Sequence, residues 1–442
     1  MSNSPTTGRG SRTSYLDRTW LNHWTVLLLT PIAAPDIADL RAKMVDFMAS
    51  DPSHPLCCTL ENAGTRWRPV AAADRVRHVR ETIVPGGPFY LDDPYTYLDE
   101  HRPSPDSTAP FKVMVGADSM TFYFAHACGD AAVFSPFAVL MSLGDVEGLR
   151  SLRADGGLAV ATKILLKEAP KHGGEWWSHL RSTASTPVPA TTVSPPARVY
   201  PPTTTAAGTL LKAAEFNEFK AWRKAACPDL PTTALMASAA YLALSAEGVP
   251  LNDKGFFTLV DLRRHLPKKQ SLRPGNFAKS AYIPADMADP AAVGAGLKHL
   301  VATARAVPAL FSGALGTALR RSASPGSATQ EALTMTFNSM MRNPGVEHIP
   351  WADPAEAMYI TMAYPVGSDG ISVSACAVEG RVSFSASFDP NRVDGHAVMR
   401  GLERLHDIPA LLQSQAPDAA GEPLPSAAVE LISTPTVGNA AR

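Results

Sequence analysis

The segment Phe124-Ala-His-Ala-Cys-Gly-Asp-Ala131 sets a histidine and an aspartate four residues apart, His126 and Asp130, with Gly129 between them. A neutral imidazole titrates near working pH and can take a proton from a hydroxyl or an amine as that group attacks a carbonyl, which is general base catalysis. The aspartate can orient the imidazole, pair with an arginine that holds the turn, or cap a following helix while His126 is an ordinary buried histidine. Cys128 shares a face with His126 only if extended backbone runs through Gly129, so it reads as a small packing residue rather than a nucleophile. These three side chains make a poor metal site, because no second histidine or acidic pair is signalled nearby.

Hydrophobic periodicity shows what must position that turn. Trp24 to Thr30 predicts a buried strand, and Asp36 is placed to cap an amphipathic helix over Ile37 to Met48. Strands are expected at Leu56 to Leu60, Phe111 to Val115 and Met120 to Ala125, the last two as a hairpin about Gly116-Ala117-Asp118. Ala131 to Leu143 has the length of a buried helix, with Pro136 near its start or at a kink. His126 and Asp130 thus fall in a strand-to-helix turn, where a side chain is presented on a rigid support.

Pro187, Pro189, Pro195, Pro196, Pro201 and Pro202 crowd a Ser/Thr/Ala-rich stretch that predicts a linker. Beyond it the pattern restarts, with helices at Ala213 to Ala226, Thr232 to Ala246, Ala291 to Ala306 and Val393 to Leu405. Strands are expected at Gly255 to Leu262, Leu333 to Phe337, Gly370 to Val378 and Arg381 to Phe388. The expected organisation is a mobile leader over 1–14, an N-terminal lobe over 15–181, a linker over 182–207, a C-terminal lobe over 208–412 and a tail over 413–442.

Composition narrows the function classes. The 442 residues, 45% hydrophobic and 18% charged, suffice for a sizeable core. A net charge of -1 supplies no global field for nucleic acid. Five cysteines with no CxxC pair suggest neither a disulfide framework nor a zinc knuckle and fit a reducing cytoplasm. No apolar run reaches the length of a membrane span. GxSxG, GxxxxGK[ST], GxGxxG after a strand and HExxH are all missing, which leaves serine hydrolases of that type, P-loop enzymes, common dehydrogenases and zincins without support.

Four features in order resemble the chloramphenicol acetyltransferase-like superfamily, in its condensation-domain-like and polyketide-associated acyltransferase branches. They are the HxxxD turn after a hairpin, the mid-chain linker, Val260-Asp-Leu-Arg-Arg-His-Leu-Pro267 with Pro274-Gly-Asn-Phe277, and Thr336-Phe-Asn-Ser339 before the closing strand pair and helix. The resemblance implies a two-lobed α/β fold, each lobe a mixed sheet flanked by helices, with the turn in a tunnel between the lobes. It implies acyl transfer from a thioester, on coenzyme A or a carrier-protein phosphopantetheine arm, to a small-molecule hydroxyl or amine in natural-product or complex-lipid assembly. No further cofactor and no metal are implied. His126 is then the base and Asp130 a structural partner of an arginine, for which Arg263 is the candidate. Asn276 and Asn338 match positions that shape the tunnel or its bridging segment.

Two departures bear on activity: Ala125 where many relatives have a first histidine, and Ala131 where they have glycine, a concern if that position needs a positive φ. They leave open a degenerate module that recruits a carrier protein or partner enzyme. His265 lies where it could touch substrate, the basic run Arg263, Arg264, Lys268, Lys269 and Arg273 reads as solvated loop charge or as a contact for a coenzyme A phosphate or an acidic carrier protein, and His396 as part of a helix start capped by Asp394. A cytoplasmic monomer is expected.

Overall fold

A computed structural model describes residues 10–414 apart from 22, 62–63, 88, 90–92, 104–106, 155–156, 184–203, 271–272, 309–331, 344, 364 and 366–369. Its strands are β1 (Ser11–Arg12), β2 (Trp24–Thr30), β3 (Cys58–Glu61), β4 (Arg66–Pro69), β5 (Ile83–Pro85), β6 (Phe111–Val115), β7 (Met120–Ala125), β8 (Thr205–Leu211), β9 (Gly255–Asp261), β10 (Ala278–Pro284), β11 (Thr334–Met340), β12 (Met358–Ala363), β13 (Gly370–Val378) and β14 (Arg381–Phe388). The helices are α1 (Tyr15–Arg18), α2 (Ile37–Ser50), α3 (Arg75–Thr82), α4 (Pro94–Glu100), α5 (Ala131–Ser142), α6 (Gly157–Thr183), α7 (Ala213–Ala226), α8 (Thr232–Ala246), α9 (Pro290–Ala302), α10 (Gly395–Glu403) and α11 (Ile408–Gln413). None of the described helices is long and apolar enough to cross a membrane.

Two larger sheets organise the molecule, one in the order β12-β2-β7-β6-β5 and one in the order β10-β9-β11-β13-β14-β8; a small sheet, β1-β4-β3, stands apart. In the first sheet the continuous apolar runs WTVLLLT and MTFYFA become adjacent central strands, because a strand covered on both faces needs no polar alternation. β6 and β7 pair as the expected hairpin, from Phe111 opposite Phe124 to Val115 opposite Met120. Phe122, Phe124 and Phe137 of α5 pack together there with Leu27, Leu29 and Met44 of α2.

The second sheet reads differently because its two faces differ. In β14 Val382, Phe384, Ala386 and Phe388 face a core built from Ala/Leu-rich α8 with α10, while Ser383, Ser385 and Ser387 face the other way. Those serines meet β12. This strand lies late in the chain, yet it pairs with β2 from Met358 opposite Thr30 to Ala363 opposite Thr25, so a strand inside 208–412 completes the sheet of the first half.

The structure moves three expected boundaries. Ser11–Arg12 pairs with β4 and Ser14 caps α1, so secondary structure begins before residue 15. Residues 205–207, assigned to the linker, belong to β8, which pairs with β14 because their backbone groups complete the sheet edge. Gln413 is the last residue of α11 rather than the start of a tail. Most of the expected linker, 184–203, and residues 1–9 and 415–442 lie outside the described residues.

Candidate active site

β7 runs straight into a single 3-10 turn, His126–Cys128, and Asp130 follows as the N-cap of α5. Gly129 makes this junction possible: its φ is 154°, and a Cβ there would stand 2.4 Å from Val133 Cγ2. Ala131, by contrast, is the exposed first residue of α5 and its φ is not positive, so its methyl group strains nothing. Ala125 is 5% exposed and packs into the core of the first sheet.

Asp130 takes two of the three roles open to it. It caps α5, Oδ1 accepting from the Ala132 N–H at 3.1 Å, and it pairs with Arg263; none of its hydrogen bonds goes to the imidazole. The pair is bidentate, Nη1 to Oδ2 and Nη2 to Oδ1 both at 2.8 Å, and each side chain is 2% exposed. Arg263 spends its other N–H groups on the carbonyls of Arg273 and Gly275 and on Asp261 Oδ1, so all its donors are matched. Asp130 Oδ2 also accepts the backbone N–H groups of Phe277 and Ala278. Asp130 thereby ties the His126 turn to Arg263 and to the backbone of Phe277 and Ala278, next to Asn276.

His126 is 5% exposed, and its backbone N–H donates to the His23 carbonyl at 2.8 Å. Its Nδ1 lies 3.1 Å from Asn276 Oδ1. The amide orientation follows from the other end: Nδ2 faces two acceptors, Asp17 Oδ1 at 2.9 Å and the His126 carbonyl at 3.0 Å, which only an NH2 can satisfy. The group facing Nδ1 is therefore an oxygen. Nδ1 must donate, and in the neutral ring Nε2 is left as a lone-pair acceptor. Burial lowers the pKa of His126 below 6.5, against the Asp130 charge and the acceptors at the ring, which favour protonation. A neutral, Nε2-basic imidazole can accept a proton from an incoming nucleophile.

Aromatic rings frame this histidine. Trp20 stacks on it with centroids 4.0 Å apart and planes 11° apart, and Phe134 meets it edge-on at 6.1 Å. Trp20, Asp17 and His23 were not visible as site residues; the available signal was Ser14-x-x-Asp17, a capping box that forms as the pattern allows.

None of the remaining candidates shows a hydrogen bond to His126 among the described residues. Asn338 sits on β11 with its Oδ1 buried and without a hydrogen-bond partner there. Cys128 is buried with its thiol pKa raised well above 9.0 by desolvation, which makes it inert. His265 faces Glu168 at 3.5 Å, and the His396 N–H is capped by Asp394. The described residues include no cluster of metal-binding side chains. Surface hollows of about 480 and 460 Å³, against Phe47 with Arg150 and against His78 with Lys112, lie apart from the chemistry; the polar convergence at His126 outweighs them as a site.

No family model matches the chain, and no curated protein matches it. Solved structures do. The first condensation domain of the calcium-dependent antibiotic synthetase matches over 92% of this chain and 97% of its own, at 14% identity and a TM-score of 0.58. Trichothecene 15-O-acetyltransferase from Fusarium sporotrichioides matches over 93% and 97%, at 11% and 0.58. Polyketide synthase associated protein 5 from Mycobacterium tuberculosis matches over 90% and 97%, at 14% and 0.57. The chain has the chloramphenicol acetyltransferase-like fold. Among the described residues the helices and strands expected after the HxxxD turn are present, together with α6, β8, β10 and β12, which were not expected, in mixed sheets flanked by helices.

Proposed function

We propose that this chloramphenicol acetyltransferase-like chain is an acyltransferase that moves an acyl group from a thioester, on coenzyme A or a carrier protein, to a hydroxyl or amine, with His126 as general base. The observation that carries the reading is the buried imidazole whose Nδ1 is committed to Asn276 Oδ1, which leaves Nε2 as the lone-pair acceptor of the neutral ring. Nε2 removes the acceptor's proton as its oxygen or nitrogen attacks the thioester carbonyl. The tetrahedral intermediate collapses with cleavage of the C–S bond. The departing thiolate then takes the proton back from the imidazolium, releasing a thiol and an ester or amide and regenerating the base. No acyl-enzyme is needed, consistent with the inert Cys128.

The test is thiol release from a panel of acyl thioesters with and without simple alcohols and amines, beside His126→Ala. Acceptor-dependent release that drops by about 100-fold or more in the variant is the expected result. A variant that keeps the parental rate removes His126 from the chemistry. Tight carrier-protein binding without turnover by either protein replaces the reading with a recruitment module.

A further inference from the structure

We infer that the turn of α1 and the tryptophan after it form a clamp on His126, with Asp17 a positioning residue that acts through Asn276. The inference rests on the base role given to His126. A primary amide has two ends, and the end that meets Nδ1 decides the tautomer. Flipped, Asn276 would offer NH2 to Nδ1, the ring proton would move to Nε2, and the base would become a donor. What opposes the flip is the pair of acceptors at Nδ2, Asp17 Oδ1 at 2.9 Å and the His126 carbonyl at 3.0 Å, which an amide oxygen in that place would face without a proton to share.

Asp17 is itself aimed. Its Oδ2 accepts from the Ser14 hydroxyl at 2.6 Å and from the Ser14 N–H at 3.3 Å, and the Ser14 oxygen accepts the Asp17 N–H, which leaves Oδ1 for Asn276. Leu16, 2% exposed, anchors the turn in the core of the second sheet. Three residues beyond Asp17, on the same side of the turn, Trp20 lies flat on the imidazole. One short segment therefore supplies both the hydrogen-bond polarity and the ring plane that a base needs, from a part of the chain more than one hundred residues before His126.

Histidine ring 15N NMR on the intact protein reads the tautomer directly, with the His126 signals identified by their loss in His126→Gln. The parent should show Nδ1 protonated and Nε2 bare. Asn276→Ala and Asp17→Ala should each give a mixed tautomer population, with the other histidine signals in place. Asp17→Asn, which keeps the shape should the alanine variant not fold, should shift the ratio the same way. Turnover in these variants should fall about 10- to 100-fold in kcat with KM nearly unchanged. A parent ring protonated at Nε2, or variants that lose activity with the tautomer ratio unaltered, overturns the clamp. The spectrum needs no substrate, so failure of every thioester would count against the acyltransferase reading while the clamp is decided by the ring signals.

Discussion

At the scale of single residues the most constrained group is the Asp130–Arg263 pair. Its charges are out of water, every guanidinium N–H has an acceptor, and the ring of Phe277 lies 4.9 Å from the guanidinium carbon. Removing one member of such a pair leaves a buried charge without compensation, which typically costs about 3–5 kcal/mol. Asp130→Ala is therefore expected to lower the unfolding free energy by about that much, with loss of activity following from loss of the turn. Urea denaturation checks it, and equal midpoints for variant and parent would remove the structural role. Only Gly129 allows the chain to turn between this pair and His126, since its φ of 154° and the nearby Val133 leave no room for a Cβ.

At the scale of elements, β12 decides how the two larger sheets hold together. It pairs with β2 along one edge, and on its other side the carbonyls of Tyr359, Thr361 and Ala363 accept from Ser383, Ser385 and Ser387 at 2.7, 2.6 and 2.7 Å. Serines at every second position of β14 thus satisfy what would be an unpaired strand edge. Ser385→Ala should cost about 1–3 kcal/mol, because a buried carbonyl loses its donor. Chemical denaturation of the single variant, beside an exposed control such as Ser151→Ala, measures it; a cost no larger than the control's would show that the ladder does not couple the sheets. β12 could not be read as a partner of β2 from the sequence, since MYITMA shows an apolar run but not which sheet it enters. β8 was hidden in a Thr/Ala stretch with Gly208, and α6 by Pro170, Gly173 and Gly174 in its interior.

For the whole molecule the opposing charges nearly cancel, and pH acts on stability through a few buried groups rather than a global field. His23 and His54 are held down to about 4, chiefly by burial, against an ordinary value of 6.5. Above 6.5 both are neutral in the folded and the unfolded chain and contribute no pH dependence. As the pH falls from 6.5 towards 4 the unfolded chain takes up protons that the native state refuses, so stability falls by up to about 1.4 kcal/mol per pH unit for each histidine. His126 acts in the same direction. Thermal unfolding followed from pH 8 to pH 4 should show a plateau above about 6.5 and a decline below it; stability that rose on acidification through this range would contradict the neutral buried histidines.

The local sequence determined the β7 strand, the turn and the α5 helix, and with them the place of His126. Apolar runs, a hairpin turn and a capping aspartate act over a few residues, and the structure reproduces β6, β7, α7, α8, β13 and β14 almost to the residue. The resemblance carried Arg263 to Asp130 and brought Asn276 into consideration, but not what Asn276 does. That was decided by tertiary packing, which brings Asn276 to His126 across 150 residues and to Asp17 across 259. Periodicity encodes which face of an element is buried; which distant side chain completes a hydrogen bond there depends on how the sheets and loops close on one another.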